Sequence, residues 1–302
     1  LAGELSVERL ADHLSALADL IVAATIKFAW RTVATRHREV PAFAVIAYGK
    51  LGGKELGYVS DLDVIFLFDD EDQDAPGNYA KLAQRFITWM TTHTPAGTLF
   101  DIDTALRPDG ASGMLVSSLG AFERYQQSSA WVWEHQALTR ARFCAGDAAI
   151  GARFEAIRES VLRQDRSSRE EQLRGEVLSM RKRMHDAYPN RSTLFDLKHD
   201  DGGMIDIEFI VQYLVLRHAA AWPQLTANAG NIALLRTCGE LGLVDAALAN
   251  GAADAYRLMR KLQHQERLQG RDTARVEPAV VAPHAATVVR LWRQLFGDSA
   301  PA

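Results

Sequence analysis

The sequence predicts an α+β protein in which a small mixed sheet with helices is followed by an all-α bundle. Two observations carry this fold class. Strand-like apolar runs are confined to residues 43–106, and after about Ser117 the hydrophobic pattern is almost wholly helical. We divide the chain into a leading helix at 1–37, a mixed α/β domain at 38–143 and a helical bundle domain at 144–302.

The period of the apolar residues assigns each element in turn. From residue 6 to about 36 they recur every three or four positions, which is typical of a helix. Uninterrupted apolar runs at 43–48 and 62–68 indicate buried strands, and 98–106 indicates a third strand that ends at a turn containing Pro108. Further helices are predicted at 79–93, 122–128, 131–143, 154–163, 169–188, 205–220, 232–241, 253–270 and 285–296.

The composition excludes several classes of protein. Of 302 residues, 48% are hydrophobic and 24% are charged, and the formal net charge of −4 does not suit a strongly cationic protein that coats nucleic acid. Cys144 and Cys238 show no metal-ligand spacing, so we expect no disulfide framework, no zinc site and a reducing, cytoplasmic location. The apolar run at 16–30 contains Asp19 and Lys27, which argues against a membrane span.

Two acidic residues open the second predicted strand. Because side chains alternate along a strand, Asp61 and Asp63 share one face. Like charges this close repel unless a cation lies between them, and Mg²⁺ prefers carboxylate oxygen. Asp101 and Asp103 repeat the spacing on the third strand, and we favour Asp103 as the further ligand because it lies deeper in that strand. The pattern predicts a magnesium site, with solvated strand-end charges as the alternative.

A glycine-rich turn follows the first predicted strand. Its glycines, Gly49, Gly52 and Gly53, would let backbone N–H groups approach a phosphate closely, and Lys50 would add positive charge. Neither the P-loop pattern nor the dinucleotide fingerprint is present in this stretch. An ordinary tight turn would also account for these glycines.

The motifs taken together resemble one family. The runs AYGKLGGKELGYVSDLDVIF at 47–66, DIDTALRP at 101–108 and GGMIDIEF at 202–209 are similar to those of the glutamine synthetase adenylyltransferases. That family belongs to the DNA polymerase β-like nucleotidyltransferase superfamily. The resemblance therefore implies a nucleotidyltransferase domain with a polymerase β-like fold, followed by an all-α helical bundle domain.

The resemblance also implies an activity. Members of the family transfer AMP from ATP to a tyrosine hydroxyl of glutamine synthetase, which inactivates that enzyme and regulates nitrogen assimilation. A second unit of the same proteins removes AMP by phosphorolysis and commonly has Asn at the position of Gly57 and Phe at that of Tyr58. The run ELGYVSD at 55–61 therefore resembles the carboxy-terminal, adenylylating unit, and a start at Leu1 rather than Met suits such a fragment. A PII-type signalling protein and glutamine are the implied regulators.

Site roles follow from the same resemblance. It implies two Mg²⁺ ions and ATP, with Asp103 orienting the tyrosine hydroxyl or accepting its proton. Arg107 is either a counter-charge for the nucleotide or a partner in a structural salt bridge. The implied residues are Asp61, Asp63 and Asp103 for the metal and catalysis, and Gly49, Lys50, Gly52, Gly53, Ser60 and Arg107 for the nucleotide.

Three alternatives remain open at this point. The chain could be the adenylyl-removing unit, a nucleotidyltransferase that acts on RNA or a small molecule, or a catalytically silent regulatory module. We expect neither a nucleic acid nor a membrane as partner. In the helical part, Asp206 and Glu208 do not share a helix face, and we interpret both as structural. The run 181–183 suggests a basic helix face, which we interpret as solvated.

Overall fold

A computed structural model describes residues 5–227 and 230–297 of the chain. It divides them into two compact units, with the boundary between Val161 and Leu162. A mixed α/β architecture is therefore present, and it is concentrated in the first unit.

The first unit holds the sheet and the helices around it. The predicted strand at 62–68 is confirmed with the same bounds, and that at 43–48 differs by one residue. The elements are α1 (Val7–Thr32), β1 (Phe43–Ala47), α2 (Gly49–Gly52), β2 (Leu62–Phe68), α3 (Ala75–Thr91), β3 (Ile102–Asp103), β4 (Val116–Ser118), α4 (Leu119–Ser128), α5 (Val132–Leu138), β5 (Arg142–Gly146) and α6 (Ala148–Leu162).

The strands pair in the order β3–β2–β1–β5, and β4 also pairs with β2. β1 is antiparallel to β2 and to β5, whereas β2 runs parallel to β3 and β4. Every residue of the central strand β1 is buried, which explains its uninterrupted apolar sequence. The parallel register pairs Leu62 with Ile102 and Asp63 with Asp103.

Two sequence predictions in this unit are wrong in extent. The third strand was expected at 98–106, but only Ile102 and Asp103 form it, because the chain beyond turns into a loop that Arg107 holds together. The helix expected at 131–143 ends at Leu138, and the chain then enters β5. The segment 142–146 has no clear helical or strand period of its own, and it forms a strand because it pairs with the edge of β1.

The boundary between the units also differs from the expected one at 143/144. A division there would cut β5, whose residues Arg142 to Gly146 pair with β1. α6 likewise belongs almost wholly to the first unit. The sequence places the boundary too early because β5 was not predicted as a strand.

α1 is the leading helix. Ser6 caps it by accepting the N–H of Arg9 at 3.3 Å, and its buried stripe packs against α3 and β5. By length and composition alone, α1 is also long and apolar enough to cross a membrane, which the interrupted run at 16–30 did not indicate. Core helices of folded domains pass the same test, and the stripe of α1 ends at the buried Trp30.

The second unit is mainly helical. Its central helix, α8, is buried on almost every face, which explains its near-continuous apolar sequence. A two-stranded antiparallel ladder departs from the predicted all-α pattern, and Arg275 in it pairs with Asp196 at 3.2 Å. The elements are α7 (Glu170–Ala187), β6 (Phe195–Asp196), α8 (Met204–His218), α9 (Asn231–Glu240), α10 (Ala246–Leu268), β7 (Arg275–Val276) and α11 (Pro278–Phe296).

A cluster of polar side chains surrounds Asp70, shortly after the end of β2. The carboxylate of Asp70 accepts the Tyr79 hydroxyl at 2.7 Å and the Arg38 guanidinium at 3.0 Å, and His37 Nε2 lies 2.9 Å away. The burial of Asp70 raises its pKa, but the hydrogen bonds from His37, Tyr79 and Arg38 lower it more. The net pKa of Asp70 therefore lies well below its usual range.

We predict that Asp70→Asn lowers the free energy of unfolding by about 2 kcal/mol at pH 7, because it weakens several hydrogen bonds to a partly buried charge. Since the folded pKa is depressed, this stabilisation is present above the unfolded pKa of about 3.9 and is lost as pH falls through the folded value. Urea unfolding should show that the difference in free energy of unfolding between wild type and variant is smaller at pH 3 than at pH 7.

The neighbouring Asp69→Asn is the matched control. Asp69 and its partner Arg153 are both about half exposed, so this pair contributes little to stability. Equal losses from the Asp69 and Asp70 variants at pH 7 would contradict the assignment.

Candidate active site

Three carboxylates converge at the start of β2. Asp61 directly precedes the strand, Asp63 lies within it, and the parallel register sets Asp103 of β3 beside Asp63. One carboxylate oxygen from each residue lies within 4.8 Å of the other two. Asp61 and Asp103 are exposed and Asp63 is half-buried, so the cluster is open to solvent. The exposed Asp101 is not part of the group.

The cluster carries unfavourable electrostatics. Burial raises the pKa of Asp63 to about 6, and the negative charges of Asp61 and Asp103 contribute to this rise. The positive charges of Lys50 and Arg140 act in the opposite direction. Three carboxylates this close together are a donor set suited to a hard divalent cation, which would offset their mutual repulsion. The residues therefore fit a magnesium site; their role as ligands stays a prediction.

Gly49 brings the glycine turn against these carboxylates. Its φ is +54°, and a Cβ at this position would lie 2.1 Å from Asp63 Oδ2. Glycine is required there both by the left-handed backbone and by the contact. The turn predicted from the sequence therefore lies directly beside the acidic cluster.

The turn itself is one turn of helix, α2, rather than an open anion-binding loop. The N–H of Gly52 donates to the Tyr48 carbonyl at 2.7 Å, and that of Gly53 donates to the Gly49 carbonyl at 3.1 Å. These bonds correct the expectation that the N–H groups of Gly52 and Gly53 reach a triphosphate, because the helical turn uses both donors itself. The two glycines instead let a neighbouring chain segment approach closely.

The segment before the carboxylates is a strained turn. Val59 has a φ of +54°, which is unusual for a β-branched residue, and its side chain is 81% exposed. The Ser60 hydroxyl accepts the N–H of Gly57 at 3.1 Å and so closes this turn. Its hydroxyl hydrogen can still donate to a ligand.

The two predicted counter-charges differ in their surroundings. Lys50 is near enough to Asp63 to influence its pKa. The guanidinium of Arg107 donates to the carbonyls of Thr104, Gly113 and Ala111 at 2.8–3.3 Å, and so braces the loop after β3. Of the two roles left open for Arg107, this geometry favours the structural one. The partners of Arg107 are backbone carbonyls, however, and not the carboxylate of a salt bridge.

Sequence reasoning missed three charged residues around the turn. Arg140 Nη2 donates to Glu55 Oε2 at 2.6 Å, and both side chains are buried. Arg142 donates to the Leu51 carbonyl at 3.1 Å and to Asp19 at 2.8 Å. The spacing of the two arginines is a signal that could have been noticed, but it becomes informative only once the segment is known to enter a strand.

Three of the charged residues singled out in the helical unit, Arg181, Asp206 and Glu208, have partners there. Arg181 Nε lies 2.5 Å from Asp206 Oδ1, and both side chains are buried. The other Asp206 oxygen accepts the N–H of Gly202 at 2.6 Å, and Glu208 accepts the Tyr256 hydroxyl at 3.0 Å. Arg181 therefore does not belong to a solvated basic face as expected, because its side chain points into the core of the unit.

Comparison with known proteins agrees with the motifs. A family model described as glutamate-ammonia ligase adenylyltransferase matches residues 1–157, which is more than half of the chain. The chain belongs to this family. Residues 171–278 match a second model, described as GlnD PII-uridylyltransferase. The first match covers the acidic cluster and the glycine turn, and the second covers much of the helical unit.

Curated relatives extend this similarity along the whole chain. The chain is 57% identical over 299 residues to a protein of Aromatoleum aromaticum, and 59% identical over 302 residues to one of Ralstonia nicotianae. Both are named bifunctional glutamine synthetase adenylyltransferase/adenylyl-removing enzyme. Each alignment covers 99% of this chain but 32% and 31% of the relative, so the chain spans about a third of their length.

We predict that Asp63→Asn weakens binding of Mg²⁺ or Mn²⁺ by about 100-fold, because it removes a central ligand of the cluster. Titration calorimetry on the folded protein would measure this loss. Asp101→Asn is the control, since Asp101 is an exposed carboxylate two residues from Asp103 but outside the cluster. Comparable losses in the two variants would refute the ligand assignment.

We predict that Gly49→Ala displaces the Asp63 carboxylate, because the added Cβ would overlap Oδ2. The left-handed φ adds strain of about 1 kcal/mol or more. Metal binding measured by calorimetry should fall strongly, together with the melting temperature. Gly77→Ala in α3 is the control, because a Cβ there meets nothing within 4 Å and the change should be neutral or stabilising. Unchanged metal binding in the Gly49 variant would rule out this contact.

Proposed function

We propose that this chain adenylylates glutamine synthetase, by transferring AMP from ATP to a tyrosine hydroxyl with release of pyrophosphate. The observation that carries the proposal is the convergence of Asp61, Asp63 and Asp103 beside a glycine turn in a chain of this family. The relatives' shared name, which includes glutamine synthetase adenylyltransferase, supports it. A catalytically silent module would have no chemical need for three convergent carboxylates.

The proposal includes the finer fold. We assign the first unit to the DNA polymerase β-like nucleotidyltransferases and the second to a helical bundle. The small mixed sheet, with acidic residues on the neighbouring parallel strands β2 and β3, supports the first assignment. The helices α7 to α11, which the structure describes in the second unit, support the other.

The three carboxylates are proposed to hold two Mg²⁺ ions. Bound there, Mg²⁺ would offset charge on the phosphates and lower the pKa of an incoming tyrosine hydroxyl from its free value of about 10. Asp61 and Asp103 are exposed, so substrate oxygens can reach the cluster. Lys50 would add positive charge for the triphosphate, and the Ser60 hydroxyl would donate to it.

The residues of the chain then position the transfer. The tyrosine oxygen attacks the α-phosphorus, the bond between the α-phosphorus and the bridging oxygen breaks, and pyrophosphate leaves with the electron pair. Asp103 is proposed to accept the hydroxyl proton. One of its oxygens already accepts the N–H of Ala105 at 2.7 Å, which orients the carboxylate. The rest of the catalysis is positioning and electrostatics.

We also propose two regulators of the longer enzyme. The match of residues 171–278 to a PII-uridylyltransferase model is compatible with a PII-type protein as regulator of the longer enzyme. Glutamine is the second proposed regulator, on the basis of the family resemblance. Neither is assigned to residues of this chain.

We predict that the protein labels unmodified glutamine synthetase when it is incubated with ATP labelled in the α-phosphate and Mg²⁺. Asp61→Asn and Asp63→Asn should each reduce labelling by about 1000-fold or more while leaving the melting temperature close to that of wild type, because each removes a group that stabilises the transition state. Asp101→Asn should label normally.

Other outcomes separate the alternatives. Release of ADP from adenylylated glutamine synthetase in the presence of inorganic phosphate, without labelling in the first assay, would identify the adenylyl-removing unit instead. Labelling of RNA but not of the synthetase would indicate a different substrate. Near-normal labelling by either aspartate variant would overturn the metal assignment.

A further inference from the structure

The buried Arg140 lies against the glycine turn, next to Gly52 and Gly53. A Cβ on Gly53 would lie 2.9 Å from Arg140 Nε, and a Cβ on Gly52 would lie 1.9 Å from the Arg140 carbonyl oxygen. The backbone of the turn therefore rests directly on Arg140. Any larger residue at these two positions would separate the turn from the arginine.

Arg140 is joined to the end of the turn by an ion pair. Its Nη2 donates to Glu55 Oε2 at 2.6 Å, and the two side chains are only 6% and 4% exposed. A buried pair of this kind contributes little net stability, because removing both ions from water offsets their attraction. Its structural effect is to fix the position of Glu55, and with it the end of the turn.

The segment that carries Arg140 is itself held in place. The buried Arg158 donates to the carbonyls of Leu138 and Thr139, at 3.0 and 2.7 Å. Two residues after Arg140, the side chain of Arg142 donates to the carbonyl of Leu51 within the turn. Hydrogen bonds on both sides of Arg140 therefore fix its position relative to the turn.

We propose that Arg140 is a positioning residue for the nucleotide, which holds the Gly49–Gly53 turn in place and sets a positive charge beneath it, so that the phosphates of ATP bind at the turn. Lysine, with a single flexible ammonium, would keep the charge but lose the planar guanidinium that contacts Gly53 and Glu55 together. This inference rests on the proposed function, because it assumes that the turn belongs to an ATP site.

The experiment measures ATP affinity by calorimetry in the presence of Mg²⁺, the KM for ATP and kcat in the labelling assay, and the melting temperature. The variants are Arg140→Met, Arg140→Lys and the double variant Arg140→Met/Glu55→Met. The control is Arg153→Met, which removes an exposed ion pair with Asp69 from the same unit. The control should match wild type in all four measurements.

The expected order of ATP affinity is wild type, then Arg140→Lys, then Arg140→Met, with the Met variant weaker than wild type by about tenfold or more. The KM for ATP should rise more than kcat falls. Arg140→Met also removes the guanidinium that pairs with the buried Glu55, so its melting temperature should drop. The double variant removes both charges and should recover the melting temperature while its ATP affinity stays low.

Two results would overturn the inference. If the double variant recovers ATP affinity together with stability, the pair is structural only. If the Lys and Met variants bind ATP equally well, the positive charge has no positioning role. When Arg140→Met fails to fold, the double and Lys variants still decide. Failure of the wild type to bind ATP would instead reject the proposed function and this inference with it, so the two failures are distinguishable.

Discussion

The parallel pairing of β2 with β3 is the constraint on which the rest of the site depends. It sets Asp103 beside Asp63, with Asp61 two residues earlier on the same side, and so gathers three negative charges within 4.8 Å. The β2–β3 ladder is only two residue pairs long and does little by itself to oppose this repulsion. The opposing force comes from the other face of β2, where Leu62 and Val64 are fully buried in the core.

The glycine turn separates charges of opposite sign. On one side Gly49 contacts the acidic cluster. On the other, Gly53 lies against the Arg140 guanidinium, and Gly52 lies against the Arg140 carbonyl oxygen. A nucleotide triphosphate with its metal needs both kinds of charge close together, because the metal binds carboxylates and the phosphates favour cations. Glycine is the residue that permits this arrangement, since a Cβ at any of the three positions would collide with one side or the other.

The GGMIDIEF motif has a different basis. Gly202 has a left-handed φ of +80°, and a Cβ there would lie 2.5 Å from the Ala285 carbonyl oxygen of α11. Its N–H donates to Asp206, which in turn pairs with the buried Arg181 of α7. The motif therefore joins the start of α8 to two neighbouring helices. Its resemblance to the family reflects the packing of the helical unit, whereas the motifs at 47–66 and 101–108 reflect the acidic site.

The sequence by itself determined those features that depend on local pattern. The strand at 62–68 and the shared side of Asp61 and Asp63 agree with the structure, because period and spacing fix which side chains share a face. The structure also brings Asp103 rather than Asp101 to this side. The helices that the structure describes in the second unit were predictable for the same reason, although α10 and α11 begin at Ala246 and Pro278, before the expected starts at 253 and 285.

Only the tertiary structure decided the rest. The strand β5 forms because its residues pair with the edge of β1, and this pairing also places the boundary between the units later. The local sequence does not indicate which segment pairs with that edge. The roles of Arg140 and Glu55 could not be predicted because these two residues, which pair with each other, are 85 residues apart in sequence. Local periodicity specifies which segments form helices or strands and which of their side chains share a face. The free-energy cost of burying a charge, and the partner that offsets it, depend on segments that meet only when the chain folds.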